Sequence, residues 1–362
     1  MSLVMEHIGL RFGEQTIIDD VSLSLTRGRM NVLLGATLAG KTTLMRLMAG
    51  LDKPTSGRLI LDGKDITGVP VRRRSVAMVY QQFVNYPNLT VYENIASPLR
   101  VQRLPAAEIE ARVLQAARIL RLEPLLKRSP AQLSGGQQQR TAIGRALVKQ
   151  ADLVLLDEPL ANLDYKLREE LREQLPSMFT ESNAILVYAT TEPAEALMLG
   201  GETATLWQGR VTQHGVTPAV YRRPENLAAA RAFSDPPLNE MVLEKCGTAA
   251  VAADGRQVPA IGVLARLPDG KYTIGFRCDD AIIADAAPGA LGFAGEVAVT
   301  EISGSESFVH VAVSLGTWVC LVRGVHDWQP GAQVVVHVDM DRAFAFDAAG
   351  KLAAAPALAV PA

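Results

Sequence analysis

The sequence predicts an α/β P-loop domain with an inserted helical subdomain, followed by a small all-β domain. Three observations carry this expectation. The apolar run Val32–Leu34 leads into Gly35, and Gly40-Lys41-Thr42 follows after four intervening residues, which is P-loop spacing between a strand and a helix. From Pro105 to Leu122, residues Ile109, Val113, Ala116 and Leu120 share one helical face between two strand-rich regions. Beyond residue 235, short alternating runs such as Val309, Val311 and Val313 are separated by Gly and Asp turns, the pattern of a small Greek-key barrel. A chain of 362 residues also suits about two domains better than one.

Composition narrows the function classes. Charged residues at 20% and hydrophobic residues at 48% describe an ordinary globular protein. Lys and Arg number 36 against 38 Asp and Glu, so the positive excess of a nucleic-acid binder is missing. Cys246, Cys278 and Cys320 are scattered, which argues against a disulfide framework or a zinc site and fits a reducing cytosol. No apolar run approaches the roughly 18 residues needed to span a membrane. Glu6, His7 and Arg11 make a secretory leader unexpected. Work at a membrane would have to go through partners.

In chain order, Leu3–His7 and Val21–Leu25 are expected strands, with Phe12 between them. An aromatic there can stack on an adenine ring or fill a core. The loop Gly35, Ala36, Thr37, Leu38, Ala39, Gly40, Lys41, Thr42 and Thr43 comes next, then a helix carrying Leu44, Leu47 and Met48. Gly35 and Gly40 let the backbone approach phosphate oxygens, and backbone N–H groups with the helix dipole attract the anion. Lys41 has the reach for β- and γ-phosphates, and the Thr42 hydroxyl suits Mg²⁺. Val76–Tyr80 is a strand ending at Gln81, whose amide can touch Mg²⁺ or an attacking water. Ser134-Gly135-Gly136-Gln137 opens a helix, either as a capped start or as a second anion grip. A second grip has a use if two chains share one nucleotide. The strand Ala151–Leu156 ends in Asp157-Glu158, fit for a Mg²⁺ ligand and a general base respectively.

Together these motifs resemble the ATP-binding subunits of ABC transporters, over essentially the whole chain. Gly35–Thr42 is similar to Walker A, Gln81 to the Q-loop, and Leu133–Gln137 to the ABC signature. Leu153–Glu158 is similar to Walker B, Ala161-Asn162-Leu163-Asp164 to the D-loop, and Phe12 to the adenine-stacking aromatic. The resemblance implies ATP and Mg²⁺ as cofactors. It also implies a head-to-tail dimer with a second ATP-binding subunit, in which one chain's Walker A faces the other's signature. Transmembrane permease subunits would be direct partners, reached through the segment Tyr86–Ile95, and an extracytoplasmic solute-binding protein an indirect one. The place of work would be the cytoplasmic face of the inner membrane. The segment after Asp235-Pro236-Pro237 resembles the OB-type regulatory domain of importers for sugars, sugar phosphates and polyols, and the loop wording is closest to glycerol importers. The expected layout is a cassette over 1–235 (helical subdomain about 84–150), a barrel over 236–351 with structural His310, His326 and His337, and a disordered tail over 352–362.

Four positions depart from the family pattern. Ala36 replaces a frequent Pro, Ala161 replaces a D-loop Ser, and Pro176 interrupts an expected helix. Thr191 stands where the family has its switch histidine, and no histidine lies between His7 and His214. That departure implies a weakened site beside a different, intact ATPase subunit. The alternatives are a largely non-hydrolytic regulatory subunit and a soluble ABC ATPase.

Overall fold

Alternating apolar residues dictate the first layer. Val21, Leu23 and Leu25 are buried while the serines between them are exposed, so β2 (Gln15–Thr26) covers a core with one face only. It pairs antiparallel with β1 (Ser2–Phe12), and β4 (Ser56–Leu61) with β5 (Lys64–Asp65) completes a four-stranded sheet in the order β2-β1-β4-β5. Both early strands are longer than expected, and Phe12 pairs with Gln15 at the tip of their hairpin. These features come from a computed structural model describing residues 2–356 apart from 83, 162–165, 167, 170, 174, 176–183 and 284–288. Asn162, Leu163, Asp164 and Pro176 therefore lie outside the described residues.

The second layer is the one that builds the site. β3 (Met30–Leu34), β6 (Val76–Val79), β7 (Leu153–Asp157), β8 (Ile185–Thr190), β9 (Glu202–Trp207) and β10 (Arg210–Val216) form a sheet ordered β10-β9-β3-β8-β7-β6. All but β10 run parallel. Strands β3, β7 and β8 are buried at every residue, as continuous apolar runs in a parallel sheet require. One core draws on both sheets and on α1 (Lys41–Ala49). Because the strands are parallel, Gly35, Gln81, Glu158 and Thr191 all follow carboxyl ends on one edge, where ligands bind in such sheets.

The helical insertion comprises α2 (Val91–Val101), α3 (Ala106–Ile119) and α4 (Gly135–Lys149). Thr90 with Glu93, and Ser134 with Gln137, form reciprocal capping boxes that start α2 and α4. Gly144 lets α4 close on α2, since a Cβ there would sit 3.2 Å from Ile95 and from Leu120. α5 (Pro193–Leu199) follows β8. Among the described residues no helix is long and apolar enough to cross a membrane.

The chain divides into Met1–Val220 and Tyr221–Ala362, which moves the expected boundary at 235 upstream. The reason is packing: Leu227 and Ala230, on the helix Leu227–Ala232, join Leu238, Phe344 and Phe346 in one cluster. The second unit pairs two sheets. One holds β11 (Asn239–Cys246), β12 (Ala249–Ala252), β13 (Gln257–Pro259), β14 (Gly270–Phe276), β20 (Phe344–Phe346) and β21 (Leu352–Ala354) in the order β13-β12-β11-β14-β20-β21. The other holds β15 (Ala281–Ile282), β16 (Leu291–Ile302), β17 (Glu306–Val313), β18 (Gly316–Arg323) and β19 (Gln333–Val338) in the order β15-β19-β16-β17-β18. The two share one barrel-like core, in which Trp318 meets Phe276 and Phe293 edge-on at 5.0 Å. Leu352–Ala354 is thus a strand on β20 (Phe344–Phe346) rather than disordered tail; residues 357–362 lie outside the described ones. His310 pairs with Glu301 at 3.2 Å and His326 stacks on Trp328.

Buried Asp280 in this unit supplies a pH test. Burial, then Asp279, pushes its carboxyl up to about 6, while Arg342 at 2.7 Å opposes. The folded value lies above the unfolded one, so the folded chain binds the extra proton between about pH 4 and 6 and this contribution is lost as pH rises. Ionised Asp280 then costs up to about 3 kcal/mol. Asp280→Asn in the full chain should therefore stabilise the second unit at pH 8 and gain little at pH 4, read by tryptophan fluorescence in urea.

Candidate functional site

Local geometry at the P-loop follows from its glycines. A Cβ on Gly35 would lie 2.5 Å from the Leu206 carbonyl oxygen, and Gly40 takes φ 106°, so neither position accepts a side chain without strain. Gly40 is the N-cap of α1 and has no side chain to close the helix start. The first-turn N–H groups of α1 are thus presented outward, as an anion site requires. Leu38, at φ 68° and 96% exposed, forms the tip of the loop.

Lys41 is 5% exposed, and its Nζ donates to Gly35 O at 2.7 Å and Ala36 O at 3.1 Å. It lies 3.7 Å from Glu158 Oε1. Burial holds the ammonium below its ordinary pKa, while Glu158 and Asp157 pull it back up. Asp157 is raised by burial, against a hydrogen bond from Thr42. The Thr42 hydroxyl, the Asp157 carboxylate and the Gln81 amide form a set of hard oxygen donors, the chemistry a Mg²⁺ ion accepts. The residues fit a nucleotide with its metal.

Glu158 sits at φ 45°, its N–H donating to Ala189 O at 3.0 Å, and its Oε2 accepts from Gln81 Nε2 at 2.8 Å. The sequence-predicted Lys41, Thr42, Gln81, Asp157 and Glu158 are therefore brought together. Thr191 follows β8 directly, and the carbonyl of Thr190 accepts from Gly35 N–H at 3.4 Å. Phe12 is 62% exposed at the hairpin tip, so the core alternative for that ring falls. Ser134 and Gln137 bond to each other, and Gly135 and Gly136 begin α4. These two bonds are local to the start of α4.

Two contributions were not legible in the motifs. Gln139, fully buried on α4, donates to Pro159 O and thereby ties the helix to the Asp157-Glu158 turn. Glu195 on α5 gathers Tyr188, Thr190 and Arg172 beneath Thr191. The third glutamine of the run 137–139 is a local signal for the first, and nothing local marks the second.

A family model described as ABC transporter matches residues 18–161, and one described as TOBE domain matches 274–346. The trehalose/maltose import ATP-binding protein MalK of Thermococcus litoralis is 36% identical over 93% of this chain and 95% of its own. An uncharacterized ABC transporter ATP-binding protein, YcjV, of Escherichia coli is 32% identical over 97% of this chain and 99% of its own. The spermidine/putrescine import ATP-binding protein PotA of Aggregatibacter actinomycetemcomitans is 42% identical over 61% of this chain, which spans 59% of that relative's length. Among solved structures, the dimeric ATP-binding cassette MJ0796 in a post-hydrolysis state with ADP and Pi is 29% identical, with a TM-score of 0.54, covering 59% of this chain and 98% of that one.

Proposed function

We propose, since the chain belongs to the ABC transporter ATP-binding proteins, that it powers uptake of a sugar, sugar phosphate or polyol such as glycerol from the cytoplasmic face of the membrane. The chain is an ABC-type ATPase and the ATP-binding subunit of an importer. The observation that carries the motor reading is the convergence of Lys41, Thr42, Gln81, Asp157 and Glu158 on one sheet edge. Lys41 and the α1 N-terminus would hold the phosphates, and Thr42, Asp157 and Gln81 the Mg²⁺. Glu158 would polarise the attacking water, with Gln81 fixing its carboxylate. Asp164 of the proposed D-loop, and Ser134–Gln137, would serve the site shared with a second ATP-binding subunit. The carbohydrate class is supported by the trehalose/maltose relative, which matches the barrel as well as the cassette. The polyamine relative matches the cassette length alone.

A groove of about 610 Å³ supports the docking of permease subunits. It lies between β6 and helices α2 and α4, with Val84, Tyr86, Pro98 and Val101 on its walls. Val101 is 84% exposed at the rim. Arg145 stacks on Tyr86 at 4.2 Å, Lys149 donates to Val76 O at 2.6 Å, and the lining holds no carboxylate. An apolar helix bearing an acidic residue would fit both features. Glu93, on the partner-facing segment, caps α2, so a change there would disturb folding as well as docking. Val101→Glu is the cleaner probe. Its full chain should lose copurification with the permease from native membranes and lose solute uptake, at unchanged ATP affinity. Normal copurification would remove this surface, and a native complex without permease subunits would remove the transporter reading.

A further inference from the structure

The turn that carries Thr191 is held from below by a buried hydrogen-bond hub. Glu195 on α5 is 4% exposed. Its Oε2 accepts from Thr190 Oγ1 at 2.7 Å and from the Tyr188 hydroxyl at 3.0 Å, and its Oε1 accepts from Arg172 Nη2 at 3.2 Å. Thr190 Oγ1 in turn accepts the Glu192 N–H at 3.0 Å. The Glu192 carboxylate lies 3.1 Å from Arg168 and 3.6 Å from Arg172. Both neighbours of Thr191 in the chain are therefore fixed by groups that converge on Glu195, and Thr190 is also bonded through its carbonyl to Gly35 of the P-loop at 3.4 Å. Burial, with Glu195 beside it, raises the Tyr188 phenol well above its ordinary pKa, which keeps it a donor.

We propose that Glu195 is a positioning residue: it sets the height and orientation of the Thr191 turn against the P-loop, and through that turn the rate of ATP cleavage. The proposal rests on the reading of Thr191 as a γ-phosphate contact. Its chemistry is specific to a carboxylate. Glu195 has two acceptor oxygens and three donors to satisfy, whereas a glutamine offers one oxygen and one NH₂. With Gln at 195, either Arg172 or the pair of hydroxyls faces a donor. With the NH₂ turned to the hydroxyls, Thr190 and Tyr188 must accept where they now donate, which leaves their own protons without an acceptor and reorients the lone pair that receives the Glu192 N–H. A misplacement of about 1 Å caused at a distance from the chemistry can cost up to about 10²-fold in rate.

The test uses the full chain with Glu195→Gln, and Tyr188→Phe as a milder variant that keeps the core volume. Single-turnover hydrolysis should slow by up to about 10²-fold in Glu195→Gln, with ATP affinity changed by less than about threefold. In a Thr191→Ala background, Glu195→Gln should have no further effect, because residues acting through one another are not additive. Amide exchange at Glu192 should quicken in both variants, and that reading needs no turnover. An equal additional loss in the Thr191→Ala background, or unchanged Glu192 exchange, overturns the positioning role. A wild-type chain that binds but never cleaves ATP would count against the hydrolytic reading, and the exchange result then decides on Glu195 alone.

Discussion

Lys41→Ala should weaken ATP binding about 10²–10³-fold while the chain stays folded, the loss expected when one partner of a buried, hydrogen-bonded charge contact is truncated. The ammonium is the one cation the P-loop encloses: it reaches Gly35 O, Ala36 O and Glu158 together. Without it, the phosphate oxygens would face the Asp157 and Glu158 carboxylates with only the Mg²⁺ charge between them. The fold should survive, because Lys41 starts a helix whose core contacts come from Leu44, Met45, Leu47 and Met48. An equilibrium titration with a fluorescent ATP analogue, beside circular dichroism, measures both halves. Unchanged affinity in a folded variant would remove the nucleotide reading of the loop.

What the sequence made legible at this site was local. P-loop spacing, the Asp157-Glu158 pair and the Gln81 strand end each encode their geometry within a few residues, and the parallel sheet then aligns them on one edge. Features that depend on distant pairings were not legible. Arg172 and Glu195 are 23 residues apart in the chain and meet only because α5 packs back on β8. The helix Leu227–Ala232 reads as an Ala-rich end to the first domain, yet its buried face meets Phe344 and Phe346, more than a hundred positions on. The tail from Leu352 reads as disordered by composition, while its first residues gain a strand partner in β20. Composition sets how willing a segment is to order, and a sheet edge elsewhere decides whether it does.

Thr191→His should raise hydrolysis at the site built on this chain's Walker motifs by about 10²–10³-fold, the typical worth of one positioned transition-state donor. Threonine can offer a hydroxyl to a phosphate oxygen, but it lacks the reach and the ring nitrogens of histidine. The scaffold for a donor is in place, since β8 ends beside Gly35 and the turn is tied to Glu195. The proposed signature Leu133–Gln137, which would serve the opposite site, keeps the motif unbroken and is capped at Ser134. A weak switch beside a sound signature makes chemical sense in a heterodimer, where a different subunit brings its own switch and borrows this signature. The comparison is between wild type and Thr191→His, each purified alone as the full chain, with ATP-dependent dimers confirmed by light scattering and single-turnover rates measured. Slow cleavage that rises with the histidine, or on adding a second cassette subunit, supports one fast and one slow site. Fast cleavage by a wild-type homodimer, unimproved by the histidine, means that Thr191 suffices and the paired-subunit proposal fails.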